Sequence, residues 1–180
     1  MTELAIADTS PLPPHVIRQL LEKLGVTYQA RHDQPGIPAA QRVQTVLLED
    51  AVGALLVLFP QNQLLDLNRL AELTGRKLTA VKPERLKRML GKHDLAMLPG
   101  IPALTSSPCL YDERLLDVPS LYIQSGQPGV LLELGTEAFK GLLGKASAAR
   151  FGEPASKVRP NFSRPEDDRQ EISQAVQAFT

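Results

Sequence analysis

Apolar residues recur at Val16, Ile17, Leu20, Leu21 and Leu24, the three-and-four spacing that lines one face of a helix. Pro14 before them and Gly25 after them are fitting start and stop residues. A second face, Leu67, Leu70, Ala71 and Leu73, follows Asp66, which is suited to cap a helix start, and ends at Gly75. Pro83 heads a third helix, with Leu86, Met89 and Leu90 inward and Gly91 behind them. Thr136 is placed to cap a fourth over residues 137–143, closed by Gly144. Strand-like runs occupy residues 26–30, 46–48, 54–59, 78–81, 108–111, 120–124 and 130–134. Two of these flank Glu49-Asp50-Ala51-Val52-Gly53 and predict a hairpin, and their unbroken apolarity predicts burial on both faces. Residues 35–38 read as a turn, 39–43 as a short helical piece, and 99–107, rich in small residues and proline, as a loop.

Helices interrupting strands in this irregular order predict an α/β or α+β fold with a mixed sheet, not a regular Rossmann alternation. Four segments are expected: a flexible arm over 1–13, a domain over 14–149, a linker over 150–164, and the start of a helix over 165–180. Ile172, Val176 and Phe179 form an apolar stripe in that last segment, which is expected to lead into a C-terminal domain of the same chain as a partner.

Composition narrows the function classes. The 180 residues are 43% hydrophobic, enough for a sizeable core. Twenty Lys and Arg balance twenty Asp and Glu, which argues against strong non-specific nucleic-acid binding. A local basic cluster stands out all the same: Lys82, Arg85, Lys87, Arg88, Lys92 and His93, of which Lys82, Arg85, Arg88 and Lys92 suit a phosphate backbone. The alternative is an ordinary solvated helix face. Five Phe, three Tyr and no Trp make few platforms for stacking bases. The single cysteine, Cys109, and the lack of an apolar run of membrane length point to a cytoplasmic protein with no membrane partner. His15, His32 and His93 lack metal-ligand spacing, so no metal and no cofactor are expected. His32-Asp33 is a conceivable acid/base pair, and exposed, structurally bonded histidines are the plainer account. No Gly-x-Ser-x-Gly elbow supports a serine triad.

Four stretches, residues 44–48, 99–104, 109–116 and 125–134, taken together resemble the YbaK/ProX-type aminoacyl-tRNA deacylase domain, also found as the editing insert of bacterial prolyl-tRNA synthetases. Gln44-Thr45-Val46-Leu47-Leu48 is similar to that family's Lys-Thr-Leu-Val-Leu. Pro99-Gly100-Ile101-Pro102-Ala103-Leu104 resembles its glycine loop, shortened, with Leu104 where a second glycine is usual. Cys109-Leu110-Tyr111-Asp112-Glu113-Arg114-Leu115-Leu116 resembles its strand ending in Asp-Glu-Ser-Leu, and Ser125-Gly126-Gln127-Pro128-Gly129 its Gly-x-x-Gly hairpin.

The resemblance implies a mixed, mainly antiparallel sheet or partly open barrel surrounded by helices, with aminoacyl-tRNA as partner. It implies a pocket lined by His32, Thr45, Gly100, Ile101, Pro102, Asp112 and Gly126, with Gln44 in the catalytic slot where the family has lysine. For Asp112 a purely structural role is the favoured account, and for Gly126 and Gly129 turn geometry is. An ester carbonyl under attack gains negative charge, which fixed donors stabilise. A glutamine amide still donates there, without the charge. The implied function is therefore a weakened or degenerate editing deacylase. The alternative is a non-catalytic ligand- or tRNA-binding regulatory module of a signalling protein, such as those in which this domain precedes an HDOD domain.

Overall fold

A computed structural model describes residues 11–154. The first half runs α1 (His15–Leu24), β1 (Gln29–His32), a 3-10 turn (Ala39–Gln41), β2 (Val43–Glu49), β3 (Ala54–Pro60), β4 (Gln63–Leu65), α2 (Leu67–Thr74) and β5 (Thr79–Ala80). The second runs α3 (Pro83–Gly91), α4 (Pro102–Thr105), β6 (Cys109–Asp112), a 3-10 turn (Glu113–Asp117), β7 (Ser120–Gln124), β8 (Val130–Gly135), α5 (Thr136–Leu143), β9 (Ser147–Ala149) and β10 (Gly152–Pro154).

The expected hairpin organises everything else. β2 and β3 pair antiparallel from Val43↔Pro60 to Glu49↔Ala54. They stand at the middle of a five-stranded sheet ordered β5-β2-β3-β6-β9, in which β6 joins β3 and β9 joins β6 in parallel. Alternate side chains enter two different cores. Val43, Leu47, Leu56 and Leu58 join the larger core with α1, α3, α5 and the second sheet, β1-β8-β7. Val46, Leu48, Leu55, Val57 and Phe59 join a smaller core with Leu65, Leu70, Leu78 and Phe151. A slip of one residue in this register would exchange the two sets, so both faces specify it. The fold is mixed α+β, as expected, and no closed barrel forms among the described residues: a single isolated parallel bridge, Arg42↔Tyr122, links the two main sheets there.

The predicted punctuation holds at most helix ends. Asp66 accepts a hydrogen bond from the Arg69 N–H at 3.0 Å, and Gly25 and Gly75 close their helices with φ of 69°. Several expectations need correction. Leu24 and Leu73 lie on the edges of their stripes and are exposed, not inward. The strand expected over 26–30 begins only at Gln29, and Val26 is a core residue in the connection before it. Thr136 does not cap α5; its hydroxyl donates to the Val118 carbonyl, leaving Gly135 at the cap position. The 99–107 loop contains one helical turn, α4. Chain order also continues past the expected boundary at Ala149, because β10 pairs antiparallel with β4 and Phe151 is buried edge-to-face on Phe59, ring centres 6.5 Å apart. The expectations for 1–10 and for 155–180 lie outside the described residues.

Candidate functional site

β2 and β7 run side by side at Arg42 and Tyr122 and then part. Two residues further along β7, the Gln124 carbonyl accepts a hydrogen bond from the Gly100 N–H at 3.2 Å. The Gly100 segment therefore fills the seam at the level where Gln44 and Thr45 would otherwise face β7. A side chain there would be tight. A Cβ at position 100 would lie 3.1 Å from Ile123 Cβ and 3.2 Å from Thr45 Oγ1. Pro99, Gly100, Ile101 and Pro102 are all buried, and α4 follows directly.

The pleat separates Gln44 from Thr45. Thr45 shares the inward face of Val43 and Leu47, is 6% exposed, and its hydroxyl has no hydrogen-bond partner among the described residues. Gln44, half-buried, takes the opposite face, the side of Val46 and Leu48. Arg42, the cation just before β2, is engaged: its Nη2 donates to Asp33 Oδ1 at 2.8 Å and to the Gln34 carbonyl at 2.7 Å. Asp33 thus pairs with Arg42. His32 is exposed on β1, in register with Val130.

Gly126 belongs to the same neighbourhood. It sits after Gln124 in the β7–β8 turn with φ of 98°, and its carbonyl accepts from the Ala96 and Met97 N–H groups at 2.9 and 3.3 Å. The stretch that leads into the seam is thereby fixed to the β7–β8 turn. Asp112 is different. Its side chain is fully buried, and its oxygens accept N–H bonds from Arg114 at 3.0 Å, Phe151 at 3.2 Å and Gly152 at 3.0 Å. The structural alternative for Asp112 is the one its contacts match: the carboxylate ties β10 to the fold and has little capacity left for a ligand. Burial pushes the Cys109 thiol up to about 12, so it is no nucleophile at neutral pH.

Lys82, Arg85, Arg88 and Lys92 are exposed along or beside α3. Arg85 is ion-paired with Glu49, leaving the other three to dominate the helix surface. Lys92 and His93 also border a cleft of about 190 Å³ whose other walls are Leu86, Met89, Leu90, Leu98, Leu104 and Thr105. Leu104 and Thr105 come from α4, so the basic helix and the Gly100 segment adjoin across this cleft. A larger groove, about 370 Å³, brings His15, His93, Asp94, Gly126 and Gln127 together from three parts of the chain. Nothing in the sequence spacing signals that meeting. No cluster of three metal-ligating side chains occurs among the described residues, nor any helix long and apolar enough to cross a membrane.

Residues 22–142 match the sequence model of the aminoacyl-tRNA editing domain, well over half of the chain, and the chain belongs to that family. Among solved structures, a Marinobacter aquaeolei VT8 protein described as a signal transduction protein superposes with a TM-score of 0.75 at 26% identity. The match covers 94% of this chain but 37% of the other. A protein described as a trans-editing enzyme for prolyl-tRNA synthetase superposes with a TM-score of 0.64 at 23% identity, over 79% of this chain and 99% of the other, a likeness of fold. No curated protein matches the chain.

Proposed function

We propose that this chain is an aminoacyl-tRNA editing domain whose deacylase activity is weakened by a neutral side chain at position 44. The observation that carries the reading is the seam itself: a buried Gly-Ile-Pro segment wedged between β2 and β7, level with Gln44 and Thr45, with uncharged Ile101, Ile123, Gln124 and Ser125 around it. In the reaction, a water, which the terminal ribose hydroxyl can help to orient, adds to the ester carbonyl, the bond to the ribose oxygen breaks, that oxygen takes up the proton the water gives up, and the amino acid leaves as its carboxylate. Gln44 and Thr45 flank the seam edge of β2 from opposite faces, and the Gln44 amide is the donor this reading assigns to the carbonyl oxygen. Losing one such donor typically costs about 100- to 1000-fold in rate. Exchanging a cation for an amide roughly halves the strength of the bond and so costs part of that. The basic surface of α3, which reaches the seam through Lys92 and the α4 cleft, supplies charge for an acceptor stem.

A second reading is favoured by the relative of which this chain spans 37%: a non-catalytic module that binds aminoacyl-tRNA and reports to a downstream domain of a signalling protein, of HDOD type or another. One experiment separates the two. A panel of mischarged tRNAs is incubated with the wild type and with Gln44→Lys, and both bound and deacylated tRNA are measured. Slow wild-type turnover that rises tenfold or more in Gln44→Lys supports the first reading. Binding without turnover in either supports the second. Unchanged turnover in Gln44→Lys, with binding intact, removes position 44 from the chemistry. Neither binding nor turnover in either protein sinks both readings.

A further inference from the structure

Met89 and Leu104 stand half-buried across the α3–α4 cleft of about 190 Å³, with Leu86, Leu90 and Leu98 behind them. A cavity of about 150 Å³ lined by such side chains holds a benzene ring, so this cleft has room for about one or two aliphatic side chains. Lys92 stands on its rim, at the end of a helix whose exposed surface Lys82, Lys87 and Arg88 make cationic. His93, on the same rim, also borders the neighbouring groove that Pro14, His15 and Val16 line. The chain is held where it arrives there: Pro13 is buried, and its carbonyl accepts a hydrogen bond from Arg18 Nε at 3.1 Å. Leu12, just upstream, is 69% exposed. Residues 1–10, which lie outside the described residues, read Met-Thr-Glu-Leu-Ala-Ile-Ala-Asp-Thr-Ser. Leu4 and Ile6 lie between Glu3 and Asp8, and no Lys or Arg occurs among the ten. In an extended chain Leu4 and Ile6 share one side. Ile6 is seven residues from Pro13, a reach of about 23 Å, over twice the roughly 8–10 Å between packed helices.

We propose that the α3–α4 cleft is a docking site for the chain's own residues 3–8, with Leu4 and Ile6 in the cleft and Glu3 and Asp8 against the cationic flank of α3. The tether favours this occupant: a short linker gives an effective concentration in the millimolar range, so a contact too weak to hold a separate peptide holds this one. The acidic, apolar-striped segment at 165–180 is placed less well. The described residues end at β10, whose Phe151 belongs to the smaller core, on the other face of the β2–β3 hairpin. Lys92 is part of the basic surface assigned above to an acceptor stem, so the docked segment covers some of that surface and competes with tRNA. The competition rests on the editing-domain reading; the docking does not.

The full chain carries the test. Cys109 is buried with its thiol pushed up to about 12, so Ala7→Cys takes a spin label at one place, and Thr9→Cys repeats the measurement from a second. The amide signals of Met89, Leu104 and Thr105 are expected to broaden in the labelled protein. They are expected to recover fully when Leu4→Asp and Ile6→Asp are added, and in part with Asp8→Lys. Sharp signals at the cleft in both labelled proteins, or equal broadening with Leu4→Asp and Ile6→Asp present, overturn the proposal. So does equal broadening of isotope-enriched wild type by an added spin-labelled, unenriched copy, which makes the occupant a second molecule. Without the label, the Leu4→Asp/Ile6→Asp protein is expected to bind aminoacyl-tRNA threefold or more tighter than the wild type. Equal affinity overturns the competition. If neither protein binds tRNA, the editing reading fails, and the docking is decided by the amide signals alone.

Discussion

Removing the Asp112 carboxylate should loosen the end of the domain more than any ligand. Asp112→Ala would strand three backbone donors. Two of them, at Phe151 and Gly152, are buried bonds with no water to replace the lost oxygen. An orphaned buried donor costs about 1–3 kcal/mol, so these two set a range of about 2–6 kcal/mol. The Arg114 N–H is part-buried and adds less. Relief of the carboxylate's own desolvation works the other way, and Arg114 keeps Gln63 Oε1 at 2.7 Å and the Gly152 carbonyl at 2.9 Å. The expected net loss is about 3–5 kcal/mol, in line with breaking one side of a buried charged network. That is a large share of the roughly 5–15 kcal/mol of a typical domain. Asp112→Asn keeps one oxygen, which can turn to Phe151 and Gly152, and should lose about 1–2 kcal/mol. Urea unfolding of the three proteins gives the order, and amide exchange gives the place: Phe151 and Gly152 should open early while β2 and β3 stay protected. A loss under about 1 kcal/mol in Asp112→Ala, or a loss of aminoacyl-tRNA binding at unchanged stability, would refute the tether and restore a ligand role.

Two further perturbations probe the seam and the hairpin tip. Gly100→Ala forces a methyl to within 3.1 Å of Ile123 and 3.2 Å of Thr45, and is expected to cost about 1–3 kcal/mol of overpacking in urea unfolding; a loss below about 0.5 kcal/mol would mean that the seam accommodates a side chain. Asp50 receives Arg76 through two bonds of 2.7 and 2.8 Å, and this hydrogen bonding holds its carboxyl well below the usual carboxylate range. A depressed folded-state pKa contributes stability that is complete above the unfolded value of about 4 and is lost as pH falls below it. The melting temperature of the wild type should therefore fall more steeply than that of Asp50→Asn below about pH 4, with parallel profiles from about pH 5 to 8; profiles parallel down to about pH 2 would count against the pairing.

What was legible in the sequence is what depends on neighbours in the chain. Val46 to Leu48 and Ala54 to Phe59 announce a hairpin because both faces are apolar, and Asp66 announces a cap because its partner, Arg69, is three residues away. What failed depends on partners far off. Thr136 has the chemistry of a cap, but the Val118 carbonyl, eighteen residues upstream, takes its hydroxyl. β4 and β10 have three residues each, too few for a period, and exist because Asp112 holds Phe151 and Gly152 from 39 and 40 residues away. Gly152 itself is dictated by Gln63, whose Cβ would lie 2.9 Å from an added methyl.

The same distinction runs through the candidate site. Gln44, Thr45 and Gly100 were picked out as residues of two separate stretches, and the family match says only that such stretches belong together. Their meeting arises from a failure of pairing: β2 and β7 share one bridge and then diverge, and a buried glycine segment takes the vacated place. That arrangement leaves a backbone carbonyl satisfied, at Gln124, and a side-chain hydroxyl unsatisfied, at Thr45. A seam closed by a second strand would have no such imbalance.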